Sequence, residues 1–192
     1  LRGVALVALA WTDGMDALAD EVEAFVREMT ATADPDTELL AHVHAGMALN
    51  VRSRHAEAAH HLRKVVELDR YARHRRHVPL ALAELARALV ATRRDLREVR
   101  DWLDRATALP PDARWVSEPV IRSVEATLEH ADGRAPWNAL ERGLEHARRR
   151  SARVHEVLLL RQMAQCGRAD VVVARLRELA DLMGATLAEL IA

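Results

Sequence analysis

Five times along this chain, three apolar residues recur at spacings of +4 and +7: Leu18/Val22/Phe25, Ala58/Leu62/Val65, Val99/Leu103/Ala106, Leu140/Leu144/Ala147 and Val172/Leu176/Leu179. The triads begin 40, 41, 41 and 32 residues apart. A single triad marks one face of one amphipathic helix, which any α protein supplies. Five at a near-constant period mark a repeated supersecondary unit. One helical hairpin cannot bury its apolar face alone, so such units share a core with their neighbours.

The helix breakers fall between these stretches. Pro35, Pro79, Pro119 and Pro136 stand near helix starts, where the missing N–H costs nothing, and Pro110-Pro111 separates two periodic segments. Gly14, Gly133, Gly167 and Gly184 occupy turn or C-cap positions. The pattern predicts helices over 2–11, 15–30, 37–51, 55–71, 78–92, 96–108, 117–131, 136–148, 152–165, 169–183 and 186–191. Most are long enough, and their connections short enough, to pair as antiparallel hairpins.

Composition agrees and excludes several alternatives. Of 192 residues 50% are hydrophobic and 30% charged, too apolar for a disordered chain. With 7 glycines, 6 prolines and 3% aromatics the chain is poor in what a β-sandwich requires. One cysteine, Cys166, excludes a disulfide scaffold and a cysteine zinc cluster, and fits a reduced, cytoplasmic setting. No uncharged apolar run is long enough to cross a membrane. Leu1–Trp11 is apolar but lacks the basic region and cleavage site of a secretion signal. The chain opens without Met, in mid-pattern, and reads as a fragment of a longer protein. A single lysine, Lys64, against 27 arginines fits GC-rich bacterial coding.

Residues 39–69 (LLAHVHAGMALNVRSRHAEAAHHLRKVVELD) resemble a tetratricopeptide repeat: Gly46 takes the small position of the first helix and Leu49 the position three later. Ala58 takes the alanine slot of the second helix, and Leu62 its aromatic-or-leucine slot. Val120–Arg148 is similar, with Ala126, the turn Ala131-Asp132-Gly133-Arg134, then Leu140 and Leu144. The turn recurs as Cys166-Gly167-Arg168-Ala169-Asp170, with Gly167 34 residues after Gly133, the usual period of that family. The chain departs from the family in lacking the first-helix Trp and Tyr and in its missing or displaced closing prolines. The resemblance implies an all-α, right-handed superhelical solenoid of about five antiparallel hairpins. It makes 1–192 a single repeat domain, with repeats near 1–34, 35–74, 75–112, 113–150 and 151–183 and a terminal helix at 186–191.

Chemistry-bearing motifs are scarce. The sequence contains no phosphate-binding glycine loop, dinucleotide fingerprint, metalloprotease helix or nucleophile elbow. Cys166 precedes a turn at a helix C-terminus, an end of the dipole that disfavours a thiolate, and reads as a small packing residue. Among 10 histidines, His42 and His44 point to different helix faces and His55, His60 and His61 do not converge, so they read as ordinary, partly exposed side chains. No catalytic, metal or cofactor site is expected. The basic runs Arg70–His77 and Arg148–Arg153 follow helices, where the macrodipole favours cations. Acidic or proline-rich connections interrupt them, and with a net charge of −1 direct nucleic-acid binding is not expected. Trp102 reads as core. Trp11, Trp115 and Trp137 read as edge-covering rings near helix ends.

In tetratricopeptide-like arrays the first helix of each hairpin lines a concave surface. That geometry carried onto this chain implies a groove of Leu40, Val43, Met47 and Asn50, then Leu80, Ala83, Arg87 and Val90. Further along it would comprise Val120, Ser123, Thr127 and His130, then Val154, Val157, Arg161 and Ala164. Such a lining suits a protein or peptide segment, or a small amphipathic effector. The stretch 174–192 (ARLRELADLMGATLAELIA) and the Arg/Ala-rich repeats are similar to the helical sensor region of large ATP-dependent LuxR/MalT-type bacterial transcription regulators. That resemblance implies a non-catalytic interaction or ligand-sensing module. The alternative is a scaffold or recruitment module attached to an enzyme or signalling protein.

Overall fold

The computed structural model describes residues 2, 3, 7, 10, 18–73, 75–92, 95–110 and 114–184, and the regular structure among them is entirely helical. The helices are α1 (Leu18–Thr30), α2 (Pro35–Val51), α3 (His55–Leu68), α4 (Val78–Ala91) and α5 (Leu96–Thr107). There follow α6 (Glu118–Ala131), α7 (Trp137–Arg149), α8 (Arg153–Met163) and α9 (Ala169–Met183). A short 3-10 turn, Arg75–His77, leads into α4, and a widened turn, Ala164–Arg168, joins α8 to α9. The helices expected at 2–11 and 186–191, and the turn at Gly14, lie outside the described residues except for positions 2, 3, 7 and 10.

The chain forms two compact units, Leu1–Ser117 and Glu118–Ala192. In the first, each helix from α1 to α5 packs on the next, and α2 also touches α4. In the second, α6 to α9 pack in the same succession, and α6 touches α8. The recurring apolar triads explain this order. Every triad side chain from Val22 to Leu179 is buried, as the periodicity predicts.

Gly46 shows how closely α2 and α3 approach. A Cβ there would lie 2.5 Å from Leu62 Cγ, a clash no rotamer change of a tightly packed leucine relieves cheaply. That contact repays the ~1 kcal/mol that glycine costs inside a helix.

The turns show where sequence reading stopped short. Gly133, Gly167 and Gly184 adopt the left-handed conformation expected of them, at φ 72°, 99° and 66°. Ser53 and Ser151 do the same at φ 59° and 53°, without being glycine. Around Ser53, Gly133 and Ser151 one pattern of bonds recurs. The turn residue's N–H donates three residues back, and the next N–H donates five back: Arg54 to Leu49 at 2.9 Å, Arg134 to Glu129 at 2.8 Å and Ala152 to Ala147 at 2.9 Å. These are Schellman closures, which satisfy carbonyls the helix end leaves open.

Two helix starts, those of α2 and α5, are capped by acids. Asp34 accepts from the Thr37 N–H at 3.0 Å and its hydroxyl at 2.6 Å, with Pro35 in the first turn. Pro35 therefore begins α2 two residues before the apolar pattern does. Asp95 caps α5 by accepting from the Arg97 N–H at 2.8 Å. Hydrogen bonds from Thr37 and from the Arg97 N–H hold these two carboxylates below their ordinary range.

Connector length accounts for the 41-residue intervals but not for the 40-residue one, where the connector is residues 31–34 and α2 is 17 residues long. Residues 69–77 and 108–117 separate second helices from the next first helix across the 41-residue intervals, whereas only residues 150–152 do so across the 32-residue one. The basic run Arg70–His77 is thus a connector. Its backbone docks on α2, with the Arg73 N–H donating to Asp36 Oδ1 at 2.9 Å.

Candidate functional site

Of the sixteen residues implied by the groove reading, fifteen lie on α2, α4, α6 and α8 and Ala164 lies on the turn after α8, and burial divides them. Val43, Asn50, Leu80, Ala83, Val120 and Val157 are buried within their units. Leu40, Met47, Arg87, Val90, Ser123, Thr127, Arg161 and Ala164 are partly buried, and His130 and Val154 are exposed. Burial takes the first six into the packing between helices and leaves the accessible face to the other ten.

In the first unit, polar side chains join α2 to α4. Asn50 Nδ2 donates to Glu84 Oε2 at 2.8 Å and to the Glu84 carbonyl at 3.0 Å. His55 Nδ1 lies 3.1 Å from Asn50 Oδ1, and Arg87 Nη2 lies 2.7 Å from Glu84 Oε2. Glu84 is 3% exposed, so its charge is compensated almost wholly by Arg87 and the Asn50 amide. The Arg87 Nε is buried without a hydrogen-bond partner.

The second unit makes the corresponding α6–α8 link from uncharged groups. Ser123 Oγ donates to Gln162 Oε1 at 2.7 Å. Gln162 Nε2 donates to the Ser123 carbonyl at 2.9 Å and to Thr127 Oγ1 at 2.8 Å, and Thr127 Oγ1 donates back to the Ser123 carbonyl at 3.0 Å. Beside Gln162, Arg161 is partly buried and has no hydrogen-bond or ion-pair partner among the described residues. Burial alone lowers its guanidinium pKa.

Elsewhere in this unit Glu129 keeps one buried carboxylate oxygen without a hydrogen-bond partner, while two other charged groups are matched. Glu156, 3% exposed, accepts from Arg148 Nε at 2.8 Å and Arg175 Nε at 2.9 Å. Burial raises its pKa, but the two guanidiniums outweigh that and leave the carboxyl below its ordinary range. Arg122 is held likewise by Glu118 and Glu125.

Sequence reasoning missed Glu84, His55, Gln162 and Glu156. The signal for Glu84 was its isolation: it is the only acid in the otherwise apolar helix VPLALAELARALVA, with an arginine three residues on.

The histidine reading needs correction. His42 and His61 are 8% and 4% exposed and face each other across α2 and α3, with Nδ1 atoms 3.0 Å apart. Divergence of neighbours on one helix says nothing about convergence between two helices packed as closely as Gly46 permits. Desolvation, then the charges of His61, His60 and Lys64 against an opposing push from Glu67, lowers His42 to about 4. Desolvation also lowers His61, against the pull of Glu23.

Trp102 is likewise not core. It is partly buried, with the Arg105 guanidinium stacked 4.4 Å from its ring centroid. Trp137 packs against the second unit's core under Arg168, Trp115 is 53% exposed, and Trp11 lies outside the described residues. Cys166 is partly buried and burial pushes its thiol up, away from reactivity. Among the described residues no three metal-ligating side chains gather, and no helix is long and apolar enough to cross a membrane.

Compared with known proteins, the chain matches no family model, no curated sequence and no solved structure.

Proposed function

We propose that this chain is a non-catalytic helical-repeat module, of the tetratricopeptide-like solenoid type, that binds a protein or peptide segment along its first helices. The observation that carries the reading is Arg161. Glu84 pairs with Arg87, Glu118 and Glu125 pair with Arg122, and Glu156 pairs with Arg148 and with Arg175, which also meets Glu178, whereas Arg161 is partly desolvated with no acid beside it among the described residues. A partly desolvated guanidinium without a partner among the described residues favours an incoming carboxylate. The contact between successive first helices in each unit, and the Gly46–Leu62 approach at the family's small-residue position, support the repeat assignment. The sensor region of a LuxR/MalT-type regulator is the setting in which such a module fits best.

The test is to pan a random peptide library against the whole chain and then against its Arg161→Glu variant. Acid-containing peptides should be enriched on the first and lost on the second. A captured peptide at 100 times its dissociation constant should stabilise the chain by about 2.7 kcal/mol in thermal unfolding. Enrichment indifferent to Arg161→Glu, or none at all, removes the proposal.

A further inference from the structure

We propose that His42 and His61 form a proton-operated clasp between Pro35–Val51 and His55–Leu68, closed at neutral pH and forced open when both facing nitrogens carry protons. The Nδ1–Nδ1 separation of 3.0 Å is a hydrogen-bond distance, so one nitrogen carries a proton and the other accepts it.

The surroundings say which. His61 turns its Nε2 toward Glu23 on Leu18–Thr30, at 3.6 Å, and a carboxylate there favours an Nε2–H. His61 Nδ1 is then the acceptor and His42 Nδ1–H the donor. The remaining basic nitrogen, His42 Nε2, faces Glu38 at 4.0 Å. A first added proton enters there and leaves the bond intact. A second has only His61 Nδ1, where it would set N–H against N–H in a site with almost no water.

The other charges around the pair sit on the second helix of this hairpin: Glu57 and Glu67, which favour protonation, and His60 and Lys64, which oppose it. On the following helix, Val78–Ala91, Glu84 and Arg87 act on His55 instead. No third metal ligand joins the pair among the described residues. Opening would also release Glu23 from His61, leaving Leu18–Thr30 held by its buried apolar face.

Two measurements on the intact chain test this. Nitrogen-detected NMR of the imidazoles at pH 7 should show His42 protonated at Nδ1 and His61 bare at Nδ1. Two Nε2–H tautomers, independent titrations near the ordinary value, or zinc moving both Nδ1 signals would overturn the clasp. Hydrogen exchange, corrected for its intrinsic pH dependence, should show the opening constant of amides in 18–68 rising on the order of tenfold between pH 7 and pH 5. His61→Asn, whose side-chain oxygen can still accept from His42 Nδ1–H but cannot titrate, should cut that rise to about threefold or less. An undiminished rise in that variant refutes the proposal.

Discussion

The two units solve one packing problem with different chemistry. Both hold consecutive first helices together through polar side chains. The first does it with a buried carboxylate, Glu84, bound by Asn50 and Arg87, and the second with Ser123, Thr127 and Gln162, none of which carries charge. A buried ion pair holds well only while complete, because its members have been taken out of water and depend on each other. A neutral network gives less but fails gently. The α2–α4 link of the first unit should therefore be more brittle to mutation than the α6–α8 link of the second.

The largest effect should come from breaking each link at its centre. Glu84→Leu leaves the Arg87 guanidinium and the Asn50 amide facing an apolar side chain and should cost about 3 kcal/mol, since Arg87 keeps some access to solvent. Gln162→Leu should cost about 1–2 kcal/mol. Urea unfolding of the two variants compares them, and equal losses would show that charge is not what distinguishes the units.

Next come the glycines. Gly46→Ala drives a methyl into Leu62 and should cost about 2 kcal/mol, whereas Gly133→Ala meets nothing within 4 Å and should lose only the roughly 1 kcal/mol of a left-handed alanine. Reversal of that order in thermal melts would mean that α2 and α3 can separate slightly at little cost.

Acid sharpens the contrast without mutation. His42, His44, His55, His61 and His77 all lie in the first unit and all are depressed chiefly by burial. A histidine whose folded pKa is depressed contributes stability above its unfolded value, near 6.5, that is lost as pH falls toward the folded value. Glu156 in the second unit has a depressed carboxylate, whose contribution is lost only below its ordinary value of 4.5. Hydrogen exchange at pH 5 should find residues 18–107 loosened and residues 118–183 protected. Simultaneous loss would refute the assignment of acid sensitivity to the histidines.

The smallest expected effect is a gain. Ser53→Gly and Ser151→Gly relieve left-handed strain and should each raise stability by about 0.5–1 kcal/mol.

The helices were legible because their signal is local. Period and the placement of proline and glycine located most ends within three residues of where they fall. Turn geometry was legible at Gly133 and Gly167 but not at Ser53 or Ser151, because serine does not announce a positive φ. Partnership between helices was least legible. Asn50 was placed in the right neighbourhood, yet its partner Glu84 lies 34 residues away, and His42 meets His61 across 19. Such contacts depend on the rotation of each helix about its axis, which a hydrophobic stripe fixes only to within a side chain or so.

The space between Gly46 and Leu62 is a single volume held in common. Whatever one position gains the other must yield, so descendants of this chain should exchange the two as a pair: alanine at 46 alongside a shorter side chain at 62, and leucine at 62 only over glycine. A library randomised at both positions and selected for folded protein would reveal that covariation directly.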